Sequence, residues 1–259
     1  AMRMSKVDPA AAEQWVKTAV ANGVFESDAD NCMLMHAGGL TTNDSSEPYA
    51  KIYSHEDRGN FFLTKYFVDL LKSTNDPRLS LIGTVCEDPT ISVQAGSDFQ
   101  YGDSAPAVQK GLPSGFSDSP DSPWFVGNKY PEFKDEDYRS TYRSRYSTIN
   151  RYTYSDPTGP TFVCTYAQTQ LLLAEAAVRG WVDGSAQAYY ENGVRAAMRQ
   201  FAQFPNGTAL YNQYLTQTAI DRYLTENPFN ASKALEQINT QYWICLLYTS
   251  PSPRDRTRS

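Results

Sequence analysis

The stretch that most constrains the fold is TYAQTQLLLAEAAVRGW at Thr165–Trp181, the longest strongly apolar run in the chain. Leu171–Leu173 and Val178 supply bulk, and the alanines between them allow a second helix to approach closely. Gly180 can take the left-handed conformation that ends a helix. The pattern therefore predicts a buried helix.

A second amphipathic helix follows after the turn at Asp183–Ser185. Its apolar residues recur at helical spacing and form one stripe: Tyr190, Val194, Ala197, Met198 and Phe201. Two helices joined by about four residues form an antiparallel helical hairpin. We expect a mainly α fold, built on such helix pairs, with long aromatic-rich loops and little β structure.

Three more amphipathic segments extend this prediction. Asp8–Pro9 is a typical helix start, and Ser232 can cap the segment that ends near Ile244. The apolar stripe after Pro9 is Ala12, Trp15, Val16, Ala19 and Val20. In the third segment, Asn60 is the expected cap, and the residues expected to face inward are Phe62, Tyr66, Phe67 and Leu70.

Composition argues against several classes of protein. The 259 residues carry a formal charge of −6 with a pI near 5.0, which is unlike a nucleic-acid-binding surface. The sequence contains no run of about 18 apolar residues, so it predicts no transmembrane helix. Four scattered cysteines and two histidines do not form a zinc motif, so we expect isolated, mostly buried thiols and neither metal nor cofactor.

The sequence also lacks the common catalytic motifs, including GxSxG, the P-loop, GxGxxG and HExxH. Asp135–Asp137 lie in a segment typical of a solvated turn. Glu175 lies within the apolar run and is expected to pair with Arg179 one turn later. These residues therefore give little support to an enzyme.

Residues 80–160 change character and are rich in Gly, Pro, Ser, Asp and aromatic side chains. Aromatic faces stack on the apolar faces of sugar rings, and such sites are carried by loops on a rigid scaffold. SPWFVGNKY combines two rings with Asn128 and Lys129. The candidate ligand-binding residues are Trp124, Tyr130, Asn128, Tyr101, Tyr142 and Tyr146.

Several motifs together resemble the SusD/RagB-type (SusD-like) nutrient-binding outer-membrane lipoproteins. The carboxy-terminal part of that family is matched by TYAQTQLLLAEAAVRGW, AQAYYENGVRAAM and ALEQINTQYWI. Further matches are AMRMSKVDPAAAEQW, NDPRL at Asn75–Leu79 and GLPSGF at Gly111–Phe116. The resemblance covers nearly all of residues 1–244.

The resemblance implies tetratricopeptide-like helix pairs with long loops on one side, and no catalysis. It implies a lipid-anchored protein on the outer face of the outer membrane, which captures glycans or peptides for a SusC-like TonB-dependent transporter. A signal peptide and lipobox cysteine are absent from this sequence, so membrane contact is expected only through an anchor outside it. The family has no universal ligand-binding motif, so no site residue is carried over.

The ends of the chain predict an incomplete SusD-like domain at residues 1–244. The chain opens on AMRMSKVDP, and the amphipathic pattern breaks at CLLYTSPSPRDRTRS. Residues 245–259 are typical of translated adapter or vector sequence rather than of a natural tail.

Two alternatives to a glycan-binding protein stay open on the sequence. A tetratricopeptide-like scaffold for proteins would need a concave helical groove, although no repeat of about 34 residues is visible. A glycoside hydrolase would need two carboxylates facing each other at roughly 5–10 Å in the 99–154 loops.

Overall fold

The computed structural model describes residues 1–38, 47, 50, 62–86, 101–115, 121–130 and 146–247. Within these residues the helices are α1 (Pro9–Asn22), α2 (Lys65–Ser73), α3 (Leu79–Ile82), α4 (Val126–Lys129), α5 (Tyr166–Val178), α6 (Ala186–Arg199), α7 (Thr208–Tyr214), α8 (Gln217–Glu226) and α9 (Ala234–Cys245). The strands are β1 (Cys32–Met35), β2 (Gly83–Cys86), β3 (Tyr101–Asp103), β4 (Thr148–Ile149) and β5 (Pro160–Cys164).

The chain divides into two compact units. The helical unit contains residues 1–35, 160–201 and 220–259, and the loop unit contains residues 36–159 and 202–219. The predicted mainly α fold is confirmed, with tetratricopeptide-like helix packing and little strand.

The predicted hairpin is the core of the helical unit, where α5 packs mainly on α6 and also on α9. Thr165 and Gln168 cap α5 reciprocally: each side chain accepts the other residue's backbone N–H, at 3.2 and 3.0 Å. The helix ends at Val178, and Gly180 just after it has the expected left-handed conformation, with a φ of +72°. The apolar stripe predicted for α6 is fully buried.

Two details of α5 refine the sequence prediction. Glu175 accepts from both Nε and Nη2 of Arg179, at 3.0 and 2.7 Å, so the predicted i,i+4 ion pair is present. Val178, in contrast, is exposed rather than part of the core, because the last turn of the helix extends past the packed face.

The start of α1 is as predicted, since Asp8 accepts the N–H of Ala11 at 3.0 Å and Pro9 occupies the first turn. The prediction for its apolar stripe is wrong in part. Ala12 and Val16 are buried with Ala176. Trp15 is 52% exposed, and Ala19 and Val20 are exposed as well. The helix buries only the edge of the stripe that faces α5.

A two-stranded antiparallel sheet, β1 with β5, completes the helical unit. Its register pairs Cys32 with Cys164 and Met33 with Phe162. Both cysteines are exposed, whereas Cys245 is buried in α9. The expectation of mostly buried thiols is therefore wrong for Cys32 and Cys164, because the end of this ladder faces solvent.

In the loop unit, β2 pairs antiparallel with β3 on one side and β4 on the other. A buried polar network joins this sheet to the segments around it. The side-chain amide of Asn150 donates to the carbonyls of Ser80 and Gly83 and to the hydroxyl of Ser104. Such fully bonded polar groups hold long loops in place where helices are short.

Helix α2 begins later than the sequence predicted. Thr64 is the cap, since its hydroxyl accepts the N–H of Phe67, and the predicted cap Asn60 lies outside the described residues. The buried residues are Phe67, Val68 and Leu71, whereas Tyr66 is 73% exposed. The prediction that Tyr66 faces inward is therefore wrong. No helix in the described part of the chain has the length and apolar character needed to cross a bilayer.

Candidate functional site

Among the predicted site residues whose side chains the structure describes, Trp124 is the most exposed large one, at 70% accessible to solvent. It lies on a turn that leads into the single-turn helix α4. The hydroxyl of Ser122 accepts the N–H of Trp124 at 3.2 Å, and the carbonyl of Ser122 accepts the N–H of Phe125 at 3.0 Å. The backbone beneath the exposed indole is thus fixed on both sides of the turn.

An apolar cluster anchors this turn, and two of its members, Phe125 and Val126, directly follow Trp124 in the chain. Phe125, Val126 and Tyr146 are buried together. Phe62, Leu112 and Tyr130 pack around them and stay partly exposed. We call these six residues the aromatic cluster. An exposed ring next to a packed cluster loses little conformational entropy on binding, which favours a recognition role.

Backbone hydrogen bonds join the segments that carry the aromatic cluster. Leu112 donates to Leu63 and accepts from Lys65, both at 2.8 Å, and Leu63 donates to Ser147 at 2.8 Å. The Ser147 hydroxyl accepts the N–H of Lys110 at 2.9 Å and donates to Gln109 at 2.7 Å. Three segments distant in sequence are therefore held side by side.

Two lysines lie over rings of the aromatic cluster. Lys110 Nζ is 5.1 Å from the centroid of Tyr146, and Lys129 Nζ is 5.6 Å from the centroid of Tyr130. Both separations are within the range of a cation–π contact. Asn128 and Lys129 are exposed on α4. The surface beside Trp124 therefore combines aromatic faces with hydrogen-bond donors.

The structure brings together some of the predicted site residues. Tyr130 and Tyr146 share the aromatic cluster, and Trp124 and Asn128 lie on the turn and helix that it anchors. Tyr146 is only 3% exposed, so its ring is positioned to support the others. Tyr142 lies outside the described residues. Tyr101 belongs to β3, and its side chain lies outside the described part.

Sequence reasoning missed Tyr66 as a candidate. Its ring is exposed at the start of α2, one residue after Lys65, whose N–H binds the Leu112 carbonyl of the aromatic cluster. The signal that would have placed this ring outside is the alternative stripe Phe67, Val68 and Leu71, which is the set that the helix buries.

In the loop unit, the buried carboxylates that the structure describes are bound by structural partners. Asp76 is bound by Arg78, Asp156 accepts from Thr158 and Asn206, and Glu47 accepts the N–H of Ala50. Asp135–Asp137, considered for a hydrolase, lie outside the described residues. Among the side chains that the structure describes, no group of three His, Cys, Asp or Glu could hold a metal ion.

A concave surface lies in the helical unit. It is an apolar groove of about 380 Å³, formed mainly by α1 and α5 and closed by Tyr242 of α9. Trp15, Val20 and Leu172 contribute apolar surface, and Arg3 and Thr169 are among its few polar side chains. Sugar hydroxyls need many hydrogen-bonding partners, so this groove is less suited to a glycan than the surface around Trp124.

Comparison with known families now identifies the chain. The model of a SusD-like family, described as starch-binding and associating with the outer membrane, matches residues 1–251. The chain belongs to the SusD-like family. The family is one of binding proteins without catalysis and is associated with the outer membrane.

Solved structures agree with this assignment. A chitin-binding protein is 30% identical, with a TM-score of 0.69 over 95% of this chain and 46% of that one. A Bacteroidetes SusD-like protein, AC2a, is 25% identical, with a TM-score of 0.73 over 95% of this chain and 53% of that one.

A chitin-binding SusD homologue from Flavobacterium johnsoniae is 22% identical, with a TM-score of 0.55 over 94% of this chain and 45% of that one. At this identity the likeness shows the fold alone. The SusD-like chain thus spans about half the length of these structures. Among the curated proteins compared with the sequence, none is significantly similar.

Proposed function

We propose that this SusD-like protein binds glycans without catalysis and delivers them to a partner TonB-dependent transporter. The observation that carries the proposal is Trp124, an exposed indole on a turn fixed by Ser122 and by the aromatic cluster. An exposed, preorganised ring offers its face to the apolar side of a sugar. Asn128 and Lys129 supply donors for the hydroxyl groups around it.

The chemistry of the surface favours a neutral, amide-bearing glycan as the first ligand to test. The 30% identical structure is a chitin-binding protein, and chitin presents pyranose faces and N-acetyl groups along one chain. Trp124 suits the pyranose face, and Asn128 can bond the acetamide in either direction. Starch oligosaccharides form the second class to test, in line with the description of the family.

Replacing Trp124 with Ala is expected to weaken binding of chitin oligosaccharides about five- to tenfold, because one ring stack contributes on the order of 1 kcal/mol. The measurement is isothermal titration with chitohexaose, repeated with maltohexaose. Since the indole is exposed, the midpoint of thermal unfolding should stay the same as in the unchanged protein.

Trp15→Ala is the matched control, because it removes a second exposed tryptophan, which lies in the groove of the helical unit. This variant should bind both sugars with the same affinity as the unchanged protein. Loss of binding with Trp15→Ala and not with Trp124→Ala would move the site to that groove. Equal binding by all three proteins across both sugars would remove Trp124 from the site.

The delivery part of the proposal has a separate test. The protein purified from its native outer membrane in mild detergent is expected to co-purify with a TonB-dependent transporter, identified by mass spectrometry. The interface would use surface other than Trp124, so the Trp124→Ala variant should co-purify equally. Recovery of the protein without any such transporter would contradict this part and leave the glycan result unaffected.

A further inference from the structure

The end of the β1–β5 ladder carries two thiols that the proposed function does not use. Cys32 and Cys164 are register partners in this antiparallel pair. Directly opposed residues have Cα separations of about 4.5 or 5.5 Å, and their side chains lie on one face of the ladder. A disulfide spans Cα separations of roughly 4.4–6.8 Å, so the pairing meets its main geometric requirement.

The backbone on either side holds the two cysteines opposite each other. On one side, Asn31 Oδ1 accepts the N–H of Tyr166 at 2.7 Å. On the other, Met33 pairs with Phe162, whose ring is fully buried. The register shifts between the Cys32–Cys164 pair and the Met33–Phe162 pair, and Val163 is the extra residue of a bulge there.

The turn that leads into β1 is also fixed. Ser27 and Asp30 form a reciprocal cap around residues 28–30. The N–H groups of Glu26 and Ser27 bind the Asp30 carboxylate and lower the pKa of Asp30. Arg199 Nε donates to Asp28 at 2.6 Å, which ties the same turn to the end of α6. Cys32 therefore enters the ladder from a well-ordered turn.

We propose that Cys32 and Cys164 are an oxidation site that forms an intramolecular cross-strand disulfide. Both thiols are exposed to solvent, so an oxidant can reach them without unfolding. The bond would close the ladder that joins the chain segments before and after residues 36–159. The association of the family with the outer membrane fits this chemistry, because disulfides persist outside the reducing cytosol.

With oxidised glutathione as the oxidant, the reaction balances in two exchanges. One cysteine thiolate attacks a glutathione sulfur, forms a mixed disulfide and releases one glutathione thiolate. The second cysteine thiolate then attacks the protein sulfur of that mixed disulfide and releases the second glutathione. Two protein thiols are oxidised to one disulfide, and one glutathione disulfide is reduced to two thiols.

The third cysteine whose side chain the structure describes is Cys245, at the end of α9. Burial raises the pKa of the Tyr242 phenol, and the charges of Cys245 and Cys164 add to this rise, so both thiols lie near that ring. Cys245 is itself buried, which disfavours its attack on an external oxidant. A test must therefore separate a Cys32–Cys164 bond from a Cys164–Cys245 bond.

The test treats the folded protein with oxidised glutathione and maps peptides by mass spectrometry without reduction. We expect one crosslinked peptide pair containing Cys32 and Cys164, a loss of two free thiols and complete reversal by dithiothreitol. Because the bond closes a loop of more than about 100 residues, the midpoint of thermal unfolding should rise by about 5–10 °C.

Three serine variants decide the pairing. Cys32→Ser should leave a glutathione adduct on Cys164, and Cys164→Ser should leave one on Cys32, while Cys245→Ser should form the crosslink normally. Adducts on both cysteines of the unchanged protein without a crosslink would overturn the proposal. A crosslink between Cys164 and Cys245 would overturn it as well. No outcome depends on glycan binding.

Discussion

Replacing Asp76 with Ala is expected to lower the free energy of unfolding by about 3–5 kcal/mol, the largest effect of any single charge in the described residues. Asp76 and Arg78 are 2% and 1% exposed and form a buried ion pair. Asp76 Oδ1 accepts from the backbone N–H and Nε of Arg78, at 3.0 and 2.9 Å, and Oδ2 accepts from Nη2. Without the Asp76 carboxylate, the buried guanidinium of Arg78 loses its charged partner, and this destabilises the folded state.

The pair also fixes the exit from α2. Asn75 has a φ of +52°, a left-handed conformation that asparagine tolerates better than most residues. The N–H of Asp76 then reaches back to the carbonyl of Leu71 at 2.8 Å, and Leu79 donates to the Asp76 carbonyl at 3.2 Å. Alanine at position 76 keeps these two backbone bonds but removes the oxygen that accepts the Arg78 N–H, so the turn between α2 and α3 loses one bond in addition to the ion pair.

Urea denaturation measures this effect, with Asp69→Ala as the matched control. Asp69 pairs with Lys65 at 2.6 Å on the exposed face of α2, where such pairs contribute only about 0.5 kcal/mol. Adding Arg78→Leu to Asp76→Ala should recover part of the loss, because no charge is then left buried. Similar, small losses for Asp76→Ala and Asp69→Ala would show that the pair is hydrated in solution.

The NDPRL motif follows the end of α2, but its sequence does not show that its charged side chains are buried. Asp76-Pro77 is a recognisable stop, since proline restricts the residue before it. Charged side chains are seldom fully buried, so nothing in the motif indicated that Asp76 and Arg78 lie inside. Their burial depends on how α2 and α3 pack, which a one-dimensional pattern does not contain.

Helix caps and stripes were predictable where local chemistry decides them. Thr165, Gln168 and Gly180 mark the ends of α5 through bonds within a few residues, and the structure confirms this helix. Periodicity alone could not choose between two neighbouring apolar stripes of α2, and the stripe that was chosen wrongly placed Tyr66 inside. It also could not show that Trp15 lies outside the packed edge of α1.

For the candidate site, the sequence showed only that residues 80–160 are rich in aromatic side chains, and not which of these rings are exposed. An aromatic-rich segment suggested ring stacking, but exposure separates a binding ring from a core ring. Trp124 is exposed and Tyr146 is buried, although both belong to the same predicted set. The cysteine pair was less predictable still, because the register of β1 with β5 joins residues more than a hundred positions apart.

Replacing Gly193 with Leu is expected to destabilise the helical unit by about 3 kcal/mol, through overpacking of the α5–α6 contact. A Cβ atom at position 193 would lie 2.8 Å from Leu171 Cγ and 3.2 Å from the Leu171 backbone nitrogen. Leu171 is fully buried, so neither its side chain nor its backbone has space to move. Leucine is otherwise a better helix former than glycine, by about 0.8 kcal/mol, so the loss measures the clash.

Thermal and urea unfolding of two further variants isolate the cause. Asn192→Leu places the same side chain one residue earlier, on the exposed face of α6, and should leave stability within about 0.5 kcal/mol. Gly193→Leu combined with Leu171→Ala exchanges the volumes across the contact and should be more stable than Gly193→Leu alone. If the second substitution only adds its own loss, the two positions are not coupled. The close approach of α6 to α5 at Gly193 would then not limit packing in the hairpin.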